Sequence, residues 1–242
     1  MTDTLHAAPF EGFSPAAFAF LRELDGNNSA DWFKPRKGEY ERRLRDPMRA
    51  LVAALADGSL PFRGDPAKAV FRVNRDVRFS ADKRPYKAQV SAALTRSGDK
   101  RDAGVLYLHI GARESFLACG FYHPDPPLLE AIRRRVIERP QDWASMLDEL
   151  GAGGLALADD AAAAKRLPRG YEAAKNTSAE PHLKRKSFVT DRLLTEEECA
   201  DPALADIARA FAEASRALVE FGWAALAQVD PAARRAPARR AG

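Results

Sequence analysis

The chain has 242 residues, of which 46% are hydrophobic and 30% charged, a composition typical of a soluble globular protein with a sizeable core. No apolar run approaches the roughly 20 residues that span a bilayer. The first residues, MTDTLHAAPFEGF, lack the basic and apolar regions of a secretory signal. We therefore expect neither a membrane protein nor a membrane partner.

The net charge of +4 is unevenly distributed. Residues 231–242 carry four arginines and no acid, which leaves 34 basic and 34 acidic residues in the rest of the chain. The whole-chain charge is thus weak evidence for a nucleic-acid-binding domain. Residues 63–101, in contrast, hold eleven basic and four acidic residues, and such a local excess creates an electric field at a site.

Two helices are predicted before residue 60. The first has Ser14 as its N-cap and Pro15 in its first position, and it ends at Gly26. The second covers roughly residues 36–56 because its apolar side chains recur at helical spacing. We expect Pro47 to kink or split this second helix.

From about residue 69 the hydrophobic period changes to two, which is typical of strands. The predicted strands are VFRVN, AQVSAALT, VLYLHI and SFLACGFY, all within residues 69–123. Val90, Ala92 and Leu94 share one face, which is apolar. The opposite face is mixed and carries hydroxyl, amide and imidazole groups.

Helices follow the predicted sheet. One helical region breaks at Pro140, a loop with a short strand follows within SAEPHLKRKSFVTDRLL, and a long helix covers residues 202–228. The predicted fold class is α+β, an antiparallel sheet of at least four strands packed on one face by helices from both ends of the chain. Residues 1–228 are predicted to form one domain, and residues 229–242 a disordered basic tail.

The segment RVNRDVRFSADKRPYK, residues 72–87, contains six basic and two acidic residues interleaved with apolar ones. In an extended chain the apolar residues would anchor one face and hold arginines on the other. Arg75 has the apolar parity, so a bend is needed to include it. Guanidinium and ammonium groups suit phosphates and carboxylates. The candidate ligand-binding residues are Arg72, Arg75, Arg78, Lys83, Tyr86 and Lys87. We expect Phe79 and Tyr86 to pack beneath the loop.

Candidates for chemistry are few. Asp76 and His109 are the candidate proton-transfer groups, since His109 lies on the mixed face of the sheet. We find no P-loop, GxGxxG, HExxH or nucleophile-elbow motif, and the four histidines lack metal-ligand spacing. We therefore predict no cofactor and no metal site. Cys119 and Cys199 lack CxxC spacing and are predicted to be free thiols of a cytoplasmic protein.

Several segments resemble a family of bacteria and fungi known as domain of unknown function 2461. They are NNSADWF, FRVNRDVRFSADKRPYK, GFYHPDPPLLEAIRRRVI, KRLPRGY and HLKRKSF, in this order, and the resemblance spans roughly residues 10–225. It implies no particular activity, but it points to the motif positions Arg75, Asp76, Arg78, Phe79, Ser80, Asp82, Lys83, Pro85, Tyr86 and Lys87. This sequence departs from the family at two positions. Ser29 stands where the family usually has an asparagine, and Ala88 stands where it usually has a threonine. A hydroxyl at position 88 is therefore not essential in this chain.

The sequence leaves three hypotheses about function open. The first is a cleft that binds a phosphorylated or carboxylated small ligand, with or without a reaction. The second is a nucleic-acid-binding module with Tyr86 or Trp32 as stacking surfaces. The third is a scaffold in which the charged motif is structural. Two further basic clusters, residues 165–169 and residues 184–186, could converge on residues 72–87. The sequence does not determine the oligomeric state.

Overall fold

The structure is a computed structural model that describes residues 9–78 and 80–230. The chain divides into two compact units. The first contains the described residues up to Ala118 together with Arg192–Glu213, and the second contains Cys119–Asp191 and the described residues from Ala214 onward. The single domain predicted for residues 1–228 stays a prediction. Residues 231–242 of the predicted tail, and the packing role predicted for Phe79, lie outside the described residues.

Helices precede and follow the strands along the chain. The helices are α1 (Pro15–Gly26), α2 (Ala30–Phe33), α3 (Lys37–Tyr40), α4 (Asp46–Leu55), α5 (Pro66–Ala69), α6 (Pro126–Glu138), α7 (Pro140–Ala152), α8 (Glu180–Leu183), α9 (Glu196–Ala200), α10 (Leu204–Ala214) and α11 (Arg216–Leu226). The strands are β1 (Gln89–Thr95), β2 (Val105–Gly111), β3 (Ser115–Phe121) and β4 (Phe188–Leu194). Within residues 9–78 and 80–230, no helix combines the length and apolar character needed to cross a membrane.

The four strands form one antiparallel sheet in the order β1-β2-β3-β4, which confirms the predicted α+β class. The predicted strand VFRVN is wrong, and β4 supplies the fourth strand instead. Val70 pairs with Ala92 only in an isolated bridge, as Asn74 does with Tyr86. The segment VFRVN does not continue beside β1. The residues that follow it bond instead to residues about ten positions later in the chain, as Arg75 N–H does to the Pro85 carbonyl.

The predicted faces of the sheet are confirmed. Three cross-strand pairs form the apolar face, namely Val90 with Ile110, Ala92 with Leu108 and Leu94 with Leu106. All six side chains are buried. On the mixed face Ser91 lies opposite His109 and Ala93 opposite Tyr107. Helices α4 and α5 pack against β1, so the apolar pattern of this strand belongs to a helix-covered core.

The predicted N-terminal helices form, the second with an interruption. Ser14 takes the N-cap position of α1, although its side chain makes no capping hydrogen bond. Helical structure then runs from Ala30 to Leu55, with a π-helical turn at Glu41–Arg45 just before Pro47. Proline lacks an N–H, and its ring clashes with the carbonyl four residues earlier. The wider turn accommodates this defect where the sequence predicts it.

The prediction of one continuous helix over residues 202–228 is wrong, because two helices occupy this region. It consists of α10 and α11, separated at Ser215, whose φ of −89° and ψ of −3° fall in the sparsely populated bridge region. The break predicted at Pro140 is confirmed, since Pro140 is the first residue of α7. Within the second unit α11 packs against α6 and α7.

Candidate functional site

The charged hairpin, as we term residues 72–78 and 80–87, has two ends that pair with each other through backbone hydrogen bonds. Lys87 N–H donates to the Val73 carbonyl at 2.8 Å, and Arg75 N–H donates to the Pro85 carbonyl at 2.9 Å. These bonds fix the two ends of the loop against each other. They place the backbone of Arg75 and of Lys87 near the base of the hairpin. The bend predicted at Arg75 stays a prediction.

Asn28 anchors the charged hairpin through the backbone of Tyr86. Its Nδ2 donates to the Tyr86 carbonyl and its Oδ1 accepts from Tyr86 N–H, both at 3.0 Å. The Tyr86 ring stacks on Phe33 with centroids 4.2 Å apart, and the residue is 8% exposed. The ring therefore packs inside the first unit, as predicted for an anchor, and its stacked face is already in use.

A chain of ion pairs connects the charged hairpin to α1 and to the β2–β3 turn. Arg75 contacts Asp82 at 2.6 Å, and Arg84 contacts Asp82 at 2.8 Å and Asp25 at 2.7 Å. Arg113 contacts the other oxygen of Asp25 at 3.1 Å. The hydrogen bonds from Arg84, followed by those from Arg75, hold the pKa of Asp82 well below its usual range. Much of the counter-charge for the hairpin thus comes from the protein itself.

The other predicted basic residues of the hairpin lie on its exposed part. Arg78 pairs with Asp76 at 2.7 Å, and this hydrogen bonding lowers the pKa of the Asp76 carboxyl. Lys83 Nζ donates to the Val77 carbonyl at 3.1 Å, and Arg72 is exposed. These four predicted residues, Arg72, Asp76, Arg78 and Lys83, do not line the cleft described next.

A cleft of about 330 Å³ opens in the first unit beside the charged hairpin. Four predicted residues line it, namely Arg75, Tyr86, Lys87 and His109. The remaining lining residues are Asp25, Asn28, Asp82, Arg84, Ala88, Gln89, Gly111, Ala112, Arg113 and Glu114. The cleft therefore brings together the hairpin base, the end of α1 and the turn between β2 and β3.

Lys87 differs electrostatically from the arginines of the cleft. It is half-buried, and its ammonium nitrogen lies 5.5 Å from the centroid of the Phe71 ring. Among residues 9–78 and 80–230, its side chain forms no ion pair. Burial, and then the charges of Arg72 and Lys100, lower the pKa of Lys87. The cleft thus contains a cation without a protein counter-ion in the described part of the chain.

His109 presents a neutral imidazole to the cleft. Its ring stacks on Phe116 at 4.5 Å, and Nδ1 lies 3.4 Å from the Tyr107 hydroxyl. That hydroxyl accepts from the side-chain amide of Gln89, also at 3.4 Å. Burial lowers the pKa of His109 to about 4, so the ring is uncharged at neutral pH. Gly111 leaves room for it, because a Cβ there would lie 2.8 Å from His109 Nε2.

The lowered pKa of His109 predicts how stability changes with pH. Between about pH 6.5 and pH 4 the unfolded chain binds a proton at this residue and the folded chain does not. The free energy of unfolding should therefore be fully retained above this range and fall as the pH decreases through it. We expect His109→Gln to remove about 1–2 kcal/mol of this pH dependence, less than the full shift because the ring is partly exposed. Urea unfolding of both proteins at about pH 7.5 and about pH 4.5 measures the difference. Equal pH dependence in the two proteins would contradict the assignment.

Comparison with known families identifies the chain. The sequence profile of a family described as "Conserved hypothetical protein (DUF2461)" matches residues 16–221. The chain belongs to this family. No curated protein and no solved structure matches the chain. The family region includes every residue that lines the cleft.

The two other basic clusters of this DUF2461 protein belong to its second unit. Arg185 donates to the carbonyls of Ser187 and Ala158, and Lys184 pairs with Glu180 at 2.5 Å. Asp160 accepts from the N–H groups of Lys186 and Ser187. The cluster at residues 184–186 therefore braces its own loop. Lys165, Arg166 and Arg169 are exposed.

Cysteine and metal chemistry add little to the site of this DUF2461 protein. Cys119 and Cys199 are free and buried, and burial raises their pKa values to about 12 and about 11. Such thiols are poor nucleophiles at neutral pH. In the described ranges, no three His, Cys, Asp or Glu side chains are grouped so as to hold a metal ion.

Several cleft residues have no signal in the sequence analysis. Asn28 lies in the segment NNSADWF, which is quoted above only for its resemblance to the family. In the structure Ser29 caps α2, since its Oγ accepts from Trp32 N–H at 3.3 Å, whereas Asn28 bonds the charged hairpin. Asp25 and Arg113 lie at a helix end and in a turn. They join the cleft through their ion pair with each other, 88 residues apart in the sequence.

Proposed function

We propose that the cleft of the first unit binds a small phosphorylated or carboxylated ligand, with Lys87 as its main cation. The observation that carries this proposal is the half-buried Lys87 ammonium, which has no ion pair in the described ranges. A buried cation is costly unless a counter-charge is near. An anion in the cleft would supply that counter-charge.

The neighbouring groups support a binding role for the cleft. Arg113 lines it with a side chain that is 78% exposed, so this guanidinium is accessible to a ligand. The neutral imidazole of His109 and the amide of Gln89 add hydrogen-bonding groups. Arg75 and Arg84 are each held by Asp82, and we assign them the task of positioning the hairpin. Of the two proton-transfer candidates only His109 lines the cleft, so a reaction there would use His109 rather than Asp76.

A matched pair of lysine variants tests the proposal. In wild type, inorganic phosphate at about twenty times its dissociation constant should raise the midpoint of thermal unfolding by a few degrees over chloride at equal ionic strength. We expect Lys87→Met to abolish this shift. Lys83→Met should keep it, because Lys83 is exposed and lies outside the cleft.

Two results would count against this proposal. One is a wild-type protein that shows no more stabilisation in phosphate or citrate than in chloride. The other is a shift that both lysine variants reduce equally, since this would indicate a diffuse charge effect over the hairpin.

The scaffold hypothesis also has a specific observation in its favour. The ion pairs from Arg75 to Arg113 connect segments up to 88 residues apart in the chain, so part of the charged motif holds the first unit together. The nucleic-acid hypothesis has less support. The Tyr86 ring stacks on Phe33, and Trp32 contacts Phe20 and the Arg36 guanidinium. We further propose a cytoplasmic location, which the free state of both cysteines supports.

A further inference from the structure

Lys87 belongs to a second group of cations that extends beyond the cleft. Lys100 Nζ lies 4.9 Å from the centroid of the Phe71 ring, and Lys87 Nζ lies 5.5 Å from the same centroid. The two ammonium groups are therefore no more than about 10 Å apart. Two ammonium groups thus lie near one aromatic ring. Arg72 follows Phe71 directly in the chain, and its charge contributes to the lowered pKa of Lys87.

The acids closest in sequence to these cations are hydrogen-bonded to other arginines, although the charges of Arg72 and Lys100 also help to lower the pKa values of Asp76 and Asp99. Asp99, next to Lys100, pairs with Arg101 at 2.6 Å, and Asp76 pairs with Arg78 at 2.7 Å. In the described parts of the chain, no ion pair is formed by Arg72, Lys87 or Lys100. Asp76 and Asp99 are shared with Arg78 and Arg101, so they neutralise the three cations only in part and the cluster keeps an excess of positive charge.

Hydrogen bonds hold the segment that carries Lys100. The Thr95 hydroxyl donates to the Asp99 carbonyl and accepts from Gly98 N–H, both at 3.0 Å. Thr95 itself is fully buried at the end of β1. The backbone of Phe71 is also held, because its N–H donates to the Ser91 carbonyl at 2.9 Å. The backbone segments that carry Lys100 and Arg72 are therefore both held to β1 by hydrogen bonds.

We infer that the ligand carries at least two anionic groups, one in the cleft and one at Lys100 and Arg72, with Lys87 between them. This rests on the proposed function, since the first anionic group is the one bound in the cleft. The chemical class is a compound with two or more phosphates or carboxylates. When the first anionic group of a ligand is bound, its second group is already close to the second site. The ligand with two groups therefore binds more tightly than a ligand with one group.

Titration calorimetry with inorganic phosphate and tripolyphosphate at constant ionic strength tests this inference. We expect wild type to bind tripolyphosphate at least about tenfold more tightly than phosphate. Lys100→Met and Arg72→Met should reduce that ratio towards one and weaken phosphate binding far less than Lys87→Met does. Lys87→Met should weaken binding of both probes, whereas Lys83→Met should change neither.

The outcomes separate this inference from the proposed function. Phosphate binding that depends on Lys87, with a tripolyphosphate ratio near one or a ratio unaffected by Lys100→Met, would overturn only the second anionic group. Absence of phosphate binding in wild type would overturn the cleft proposal itself. A single-stranded oligonucleotide that binds more tightly than tripolyphosphate, through the same three cations, would overturn the small-ligand assignment in favour of nucleic acid.

Discussion

Asn28→Ala is expected to lower the free energy of unfolding by about 2–4 kcal/mol and to abolish the phosphate-dependent thermal shift. The variant removes both partners of the Tyr86 backbone, the donor to its carbonyl and the acceptor of its N–H. A backbone group left unsatisfied in a buried position costs about 1–3 kcal/mol. Lys87 follows Tyr86 directly, so a hairpin released at Tyr86 no longer holds the ammonium in the cleft.

Two further variants refine the Asn28 experiment. Asn27→Ala is the matched control, because Asn27 Nδ2 donates to the exposed carbonyl of Glu23 within the same helix end, and we expect a loss of about 0.5 kcal/mol or less. Asn28→Asp keeps an acceptor for Tyr86 N–H but places an oxygen against the Tyr86 carbonyl, so its loss should be intermediate. Urea unfolding gives the three free energies. Equal losses for Asn27→Ala and Asn28→Ala would refute the anchoring role.

Gly111→Ala is expected to lower the free energy of unfolding by about 2–3 kcal/mol and to displace the His109 ring. A Cβ at this position would lie 2.6 Å from the Glu114 carbonyl oxygen and 2.8 Å from His109 Nε2. Both distances are shorter than side chains tolerate, so the turn or the imidazole must move, and overpacking of this kind costs about 1–3 kcal/mol. Both Gly111 and His109 line the cleft, so its shape changes as well.

The signature of a displaced ring is a changed titration of His109. In wild type burial holds its pKa near 4, and greater exposure in Gly111→Ala should raise this value towards 6.5. Nuclear magnetic resonance of the imidazole protons follows the titration directly. Gly26→Ala serves as the control, since nothing lies within 4 Å of a Cβ there, and its stability should be unchanged or slightly higher. An unshifted His109 pKa in a destabilised Gly111→Ala protein would contradict the inference that Gly111 leaves room for the His109 ring.

The sheet was predictable where its pattern is local. Alternation in β1 and β2 assigns Val90 and His109 to opposite faces without any knowledge of the partner strand. The same period misleads at Phe71 and Val73, because alternation cannot tell a strand that joins the sheet from one that folds back on itself. In the same way, helical periodicity continues through Ser215, where the backbone departs from helical geometry.

The site was predictable only in part for a related reason. Lys87 and His109 stand out because one lies in a dense charge pattern and the other on a polar strand face. The pairing of Asp25 with Arg84 and Arg113 spans 59 and 88 residues. No spacing rule within a helix or strand can indicate contacts over such distances. The sequence therefore predicts a basic site but not which of its cations are neutralised.

The odd number of charges in the ion-pair chain has a consequence for ligand exchange. Three guanidinium groups share two carboxylates, and Asp25 is held on one oxygen by Arg84 and on the other by Arg113. If the cleft binds an anion as proposed, Arg113 can turn towards that anion while Asp25 keeps Arg84 as its counter-ion. Breaking a buried pair is costly mainly because it strands the opposite charge, and here no charge is stranded. The terminal arginine can therefore exchange one partner for another at little energetic cost, while the hairpin stays fixed by the rest of the chain of pairs.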